Sequence, residues 1–266
     1  MMSCAMAPRK FATTSATPCG MGLSRESDTN ASLRAILWSF GGAEQDEHGN
    51  VTINSKQTVE AMKYMRALYK ESETAEVFSW DPTSNNRAML SGKISYTMNA
   101  ISITRAAEKE NPDMSNKIWI SSALKGPVRR IAPETLMNHY VIWEFAENKE
   151  GAKQFLVDLM DNYGEAFKGS EFYHQPCFPS TVPNLKEQLS NDPRANPPDK
   201  YKVLANALDW TTNIGYPGYA TAAIDETVNT FVLPTIFAKV ARDEMNAEGG
   251  ARAVEKEIRR IFDKWK

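Results

Sequence analysis

The sequence predicts an α/β protein. Short alternating stretches, such as Ile94, Tyr96 and Met98 in "KISYTMN", have the period of a half-buried strand. Longer stretches, such as Val254, Ile258, Ile261 and Trp265, recur at helical spacing. The two patterns alternate along the chain, as they do where strands and helices pack in layers. A length of 266 residues suits one large domain or two smaller ones. With 42% hydrophobic and 24% charged residues, the chain has enough apolar material for a sizeable core. The formal charge of -2 offers no general attraction to phosphate backbones, so no nucleic-acid partner is expected. No apolar run approaches the roughly 20 residues that span a bilayer.

The elements follow in order. Residues 1–19 have no apolar core of the kind a secretory signal carries and read as an irregular lead-in. Residues 21–23 read as a short strand running into the polar turn "SRESDTN", where Asp28 or Asn30 can cap a helix. Leu33, Ile36, Leu37 and Phe40 line that helix, and Gly41-Gly42 stop it, because glycine takes the left-handed conformation without a Cβ penalty. An acidic segment and "HGN" make a small hairpin, and Asn54 or Ser55 starts the next helix, with Val59, Met62, Met65 and Tyr69 on one face. "FSWDPTSNNRAML" is a loop entering a short helix with Pro82 near its first turn. The strand "KISYTMN" passes through Asn99 into a helix, which places free backbone N–H groups beside the strand's carboxyl end. "IWISSAL" and residues 139–146 are further strand candidates, separated by the break "KGPVRR". "NKEGAKQFLVDLM" reads as an amphipathic helix with Ala152, Phe155, Leu156 and Leu159 inward, and a proline-rich loop covers about 174–199. Three helices close the chain, around 200–210, 219–232 and 250–265. Trp38 and Trp143 lie in apolar runs and are assigned to the core.

No catalytic or metal-binding constellation emerges. Cys4, Cys19 and Cys177 are far apart and odd in number, and His48, His139 and His174 are equally scattered, so they lack the short spacings of a metal site. No nucleophile elbow or phosphate-cradling glycine loop is present. No cofactor is expected.

Four blocks together resemble one family. "ILWSFGGAEQDEHGNVTINS" is similar to its helix, double glycine, small hairpin and helix start; "TVEAMKYMRALYK" to its next helix; "MLSGKISYTMNA" to its "F-x-x-G-K-x-x-M-x-x-N" strand; and "NKEGAKQFLVDLM" to its "NKE-A-x-x-F-x-x-x-L" helix. The family is the sugar-binding extracellular solute-binding proteins of ABC transporters, the maltose-binding-like group (family 1). The resemblance implies a periplasmic-binding-protein-like (type II) fold, with one largely complete lobe and part of the second. Residues 20–125 and 186–266 would form the C-terminal lobe and 126–185 a remnant of the N-terminal lobe. Family members normally begin with an export signal and the first half of that lobe, so the resemblance implies a fragment. It further implies a periplasmic or extracellular monomer that binds a mono- or oligosaccharide, delivers it to membrane permease subunits, and catalyses nothing.

Sugar sites combine aromatic rings for the flat pyranose face with amides and carboxylates for its hydroxyls. Glu26, Asp28 and Asn30 offer such groups in the "SRESDTN" turn, with helix capping as the structural alternative. Trp80, beside Asp81, lies on the loop near the expected mouth of the lobe; packing on its own helix is the alternative. Asn99 and Ser102 sit at the strand-to-helix turn, where either could be a plain cap. Tyr216 and Tyr219 in "GYPGYA" suggest a stacking platform, although exposed turn tyrosines are common. Asn138 and His139 would face the site from the other lobe. Two other functions remain open on sequence: a glycosidase using a carboxylate pair near aromatics, and a truncated remnant that binds nothing well.

Overall fold

Short helices dominate the described residues, 18–133 and 139–266, of this computed structural model. They are α1 (Ser27–Ser39), α2 (Lys56–Ser72), α3 (Ser84–Leu90), α4 (Ser102–Glu110), α5 (Pro112–Ser115), α6 (Lys149–Asp161), α7 (Tyr163–Gly169), α8 (Leu185–Ser190), α9 (Ala222–Asn229), α10 (Val232–Ala241) and α11 (Ala247–Lys264). Strands β1 (Ala132–Pro133) and β2 (Thr211–Thr212) pair in parallel, Ala132 with Thr211 and Pro133 with Thr212. The chain divides into two compact units. The first holds the described residues of Met1–Ala100, Ser122–Thr135 and Leu208–Lys266; the second holds those of Ile101–Ser121 and Leu136–Ala207. These units are cut differently from the lobes that the resemblance implies, since 101–121 and 186–207 pack with the second unit.

The first unit forms as the opening motif dictates. Gly41 has φ +89°, and the N–H groups of Gly41 and Gly42 close α1 on Trp38 O (2.9 Å) and Leu37 O (3.0 Å). Gln45 and Val51 bridge antiparallel across the small hairpin, whose turn is held by Asp46 accepting from the N–H groups of His48 (2.9 Å) and Asn50 (2.8 Å). Ser55 then caps α2, accepting from Thr58 N–H at 3.2 Å. Helices α1, α2, α10 and α11 bury Leu33, Leu37, Trp38, Met62, Met65, Leu233, Phe237, Val254, Ile258 and Ile261 in one core.

The strands are shorter than the sequence suggests. Ser95 N–H reaches Pro18 O and Gly20 N–H reaches Tyr96 O, both at 2.9 Å, around a parallel bridge of Cys19 with Tyr96. The ladder stops there because the next donors find other acceptors: Met21 N–H takes Glu73 Oε1 (2.9 Å) and Leu23 N–H takes Val77 O (2.8 Å). Residues 21–23 and the rest of "KISYTMN" are therefore not strands. "IWISSAL" and 139–146 are not strands either, since no ladder partner lies beside them among the described residues. Trp143, expected in the core, is 63% exposed for the same reason, whereas Trp38 is fully buried as expected. The helix expected over 219–232 is broken by Phe231, whose left-handed φ of 56° separates α9 from α10. The segment expected as a helix around 200–210 is a 3₁₀ run, Lys200–Asp209, kinked at Asn206.

The second unit is organised by polar contacts as much as apolar ones. Phe167, Phe172, Val182, Leu189 and Tyr201 form a small core. Arg105 on α4 is buried beside it, with its guanidinium 3.8 Å from the Tyr201 ring centroid and paired with Glu108 (2.8 Å) and Asp192 (2.7 Å). Lys200, also buried, donates to Ser115 O at 3.1 Å. Helix α6 is capped by Asn148 through Gly151 N–H (2.9 Å), yet none of its residues is buried; Phe155, expected to face inward, is exposed.

The contrast predicts where stability resides. Leu33→Ala should cost about 2–5 kcal/mol in urea unfolding, and Phe155→Ala no more than about 0.5 kcal/mol. A comparable loss at Phe155 would mean that α6 packs against something.

Candidate functional site

A relay of amides in the first unit joins two of the residues expected at the site. Asp28 Oδ2 accepts from Asn85 Nδ2 at 2.8 Å. Asn85 Oδ1 accepts from Asn86 N–H at 2.7 Å, and Asn86 Oδ1 accepts from Asn99 Nδ2 at 2.6 Å. Asn99 Oδ1 in turn accepts from Ala100 N–H at 2.6 Å. Asn85 is buried, whereas Asp28, Asn86 and Asn99 are half-buried, so the relay starts in the protein and reaches solvent. Each piece is where local rules put it. Asp28 lies in the first turn of α1, where a carboxylate complements the helix dipole. Asn85 and Asn86 lie in the first turn of α3, and Asn99 lies three residues after Tyr96.

Trp80 lies on the loop that delivers α3. Its indole lies against Gly20: a Cβ on that glycine would come within 2.7 Å of Trp80 Cη2 and of Ile94 Cδ1. Ser24 Oγ donates to Trp80 O at 2.6 Å, tying this loop to the turn before α1. Asp81, next in sequence, accepts from Thr83 N–H (2.8 Å) and Arg87 (3.0 Å). Those hydrogen bonds, Thr83's foremost, hold its carboxyl well below the usual carboxylate range.

The other expected residues have different roles. Glu26 is the N-cap of α1: its carboxylate accepts from Asp28 N–H at 2.6 Å and from both the N–H and the hydroxyl of Thr29. Burial pushes this carboxyl up, against the pull of those donors. Asn30 is buried, donating to Val228 O (2.8 Å) and accepting from Arg34 (2.7 Å). Tyr216 belongs to a second cluster, its ring 5.7 Å from that of Trp38 and its hydroxyl accepting from Arg129. Tyr219 is 84% exposed, and Gln45 Nε2 holds its carbonyl (2.8 Å) together with that of Gly215 (2.7 Å). Ser102, the first residue of α4, and the exposed His139 belong to the second unit. Asn138 lies outside the described residues.

Sequence reasoning passed over Asn85, Asn86, Gln45 and Arg129. The signal for the first two was present: paired asparagines directly after a tryptophan-containing loop and a helix-starting proline. Among the described residues, no group of His, Cys, Asp and Glu could hold a metal ion, and no helix is long and apolar enough to cross a membrane.

Glu73 holds the segment that precedes α1. It anchors Met21 N–H through Oε1, while Oε2 is buried with no hydrogen-bond partner among the described residues. Burial pushes its pKa up to about 8. A carboxyl raised in the folded state binds its proton more tightly there than in the unfolded chain. Folding stability is therefore fully present below the ordinary glutamate pKa and falls as pH rises toward about 8. The slope should reach at most about 1.4 kcal/mol per pH unit. Glu73→Gln should flatten this limb in urea titrations across that window; an unchanged limb would assign it to another group.

No protein-family model matches the chain, and neither does any curated protein. Solved structures do. A maltose-bound MalE3 of T. maritima superposes with a TM-score of 0.71 at 18% identity, over 97% of this chain and 64% of its own. A sugar transporter from Arthrobacter chlorophenolicus with bound laminaribiose gives 0.77 at 15% identity, over 97% and 64%. An ABC transporter solute-binding protein from Thermotoga lettingae with bound α-D-tagatose gives 0.69 at 16% identity, over 96% and 62%. The chain thus has the periplasmic-binding-protein-like fold that its sequence blocks suggest, and it spans under two thirds of the length of these neighbours.

Proposed function

We propose that this chain, sharing its fold with the sugar-binding solute-binding proteins of ABC transporters, is the carbohydrate-binding component of such an importer. Its sugar-facing surface would be the Asp28–Asn85–Asn86–Asn99 relay with Trp80 beside it. The relay is the observation that carries this reading. Planar amides and a carboxylate at fixed spacing offer donors and acceptors together, which is what the hydroxyls of a pyranose require. The Trp80 indole, on the loop that leads into the helix carrying Asn85 and Asn86, would supply an apolar face for the ring's C–H groups. A protein with this role holds its ligand and performs no chemistry on it, in keeping with neighbours that are binding proteins. It would work outside the cytoplasmic membrane, where permease subunits take the ligand from it.

The reading is tested by ligand-dependent stability. Maltose or laminaribiose at about 100 times its dissociation constant should add about 2.7 kcal/mol, raising the melting temperature by roughly 5–10 °C. Asn99→Ala should weaken binding roughly 2- to 10-fold, the worth of a hydrogen bond of about 0.5–1.5 kcal/mol. Tyr219→Ala should leave it unchanged. A melting temperature insensitive to any mono- or oligosaccharide would reject the proposal. Hydrolysis of a glycoside, lost on replacing Asp28, would favour a glycosidase.

A further inference from the structure

The segment that leads into α1 is seated on the first unit by a short series of backbone donors. Cys19 N–H reaches Ser72 O (2.8 Å), Gly20 N–H reaches Tyr96 O (2.9 Å) and Leu23 N–H reaches Val77 O (2.8 Å). Between them, Met21 N–H takes a side chain, Glu73 Oε1, at 2.9 Å. The same segment supports the Trp80 loop, because Gly20 lies against the indole and Ser24 Oγ donates to Trp80 O. Glu73 is an uneasy anchor for it. Its Oε2 is buried with no hydrogen-bond partner among the described residues, and a buried orphan oxygen costs far more charged than neutral. The groups around it do not answer a charge. Cys19 is a buried thiol that stays neutral, pushed up by burial and then by the charge of Glu73 itself. Lys70 and Arg66 on α2 are both drawn to Asp243, and Arg25 donates to Thr230 O (3.3 Å). Glu76 and Lys93 are exposed.

We infer that a proton on Glu73 latches residues 19–23, and that its loss releases this segment, with the support it gives Trp80, while the helical core stays folded. Ionised Glu73 is accommodated only where both its oxygens reach water, which the seated segment prevents. The release is local because little holds the segment apart from these donors. Its ladder is a single bridge, Cys19 with Tyr96, and lifting it exposes Met21 and Leu23. Helices α1, α2, α10 and α11 keep their own backbone bonds and their shared core, so a small opening of this kind lies below global unfolding. Burial raises the carboxyl to about 8 in the seated state. The latch is therefore tightest below the ordinary glutamate range. It loosens by up to about tenfold per pH unit as pH rises toward about 8, and is constant above that. It stands independently of what the neighbouring surface binds.

Hydrogen exchange on the full chain from pH 5 to 9 tests the inference, each rate being divided by that of an unfolded chain at the same pH. In the wild type, protection of the 19–23 amides should fall by up to about tenfold per unit toward pH 8 and then level. At every pH it should lie below the protection of Met62 and Met65 on α2. Addition of about 1 M urea should leave it unchanged, since a local opening exposes little surface. Glu73→Gln keeps an acceptor for Met21 N–H and cannot ionise, so its 19–23 protection should be flat across the range. Three results would overturn the inference. Protection at 19–23 that is flat with pH in the wild type would show that Glu73 does not hold the segment through a proton. A slope that survives in Glu73→Gln would assign the effect to another group. Protection equal to that of Met62 and Met65, falling with them in urea, would mean that the segment leaves only when the whole unit unfolds.

Discussion

Arg34 and Glu44 are taken out of water side by side, and the first unit is organised around that pair. Arg34 Nε lies 2.7 Å from Glu44 Oε1, and both side chains are almost wholly buried. The contact is ionic and not an aligned hydrogen bond, because neither atom has a hydrogen-bond partner among the described residues. Other atoms of the pair bind neighbours that would otherwise be unrelated in sequence, while Arg34 Nη2 has no hydrogen-bond partner among the described residues. Arg34 Nη1 donates to Asn30, Asn30 donates to Val228 O, and Trp38 Nε1 donates to Glu44 Oε2 at 3.0 Å. Removing one member of such a pair strands a charge in the interior, at a typical cost of about 3–5 kcal/mol. One buried pair thereby fixes α1 to the hairpin behind it and to α9 beside it.

The amide relay depends on this anchoring. Asp28 is held at the start of α1, so its carboxylate stays where Asn85 can reach it only while α1 keeps its place. The segment before α1 is fixed in turn by Glu73 and by the short ladder of Pro18 to Gly20 with Ser95 and Tyr96. The candidate site is thus built on the starts of two helices and the segment at Asn99, held together by hydrogen bonds between residues far apart in sequence.

Local signals were legible and distant ones were not. Gly41, the hairpin and the caps at Ser55 and Asn148 follow from rules spanning a few residues, and the structure has them. Asp28 and Asn99 could be singled out by residue type and position, but their connection through Asn85 and Asn86 needs the fold. Gln45 looked like part of a polar hairpin because the carbonyls it holds lie 170 and 174 residues away. Glu26 and Asn30 were offered as ligand contacts, yet their polar groups meet partners inside the protein, which alternation and composition do not reveal. Trp143 shows the opposite error: an apolar run says that a segment can be buried, not that a covering surface is present.

The saturation of Glu26 bears on what kind of molecule the relay can accept. Its carboxylate already receives three donors from its own helix, which leaves the relay with Asp28 as its one fixed charge. Asp81, on the adjoining loop, has its charge answered by Arg87. As the proposed sugar-facing surface, neutral amides around one negative group would favour uncharged polyols. It would turn away sugar phosphates, uronates and other anions, whose approach adds like charge to a half-buried place. Selectivity by charge sign would then come from the capping chemistry of a helix, with no cationic residue required.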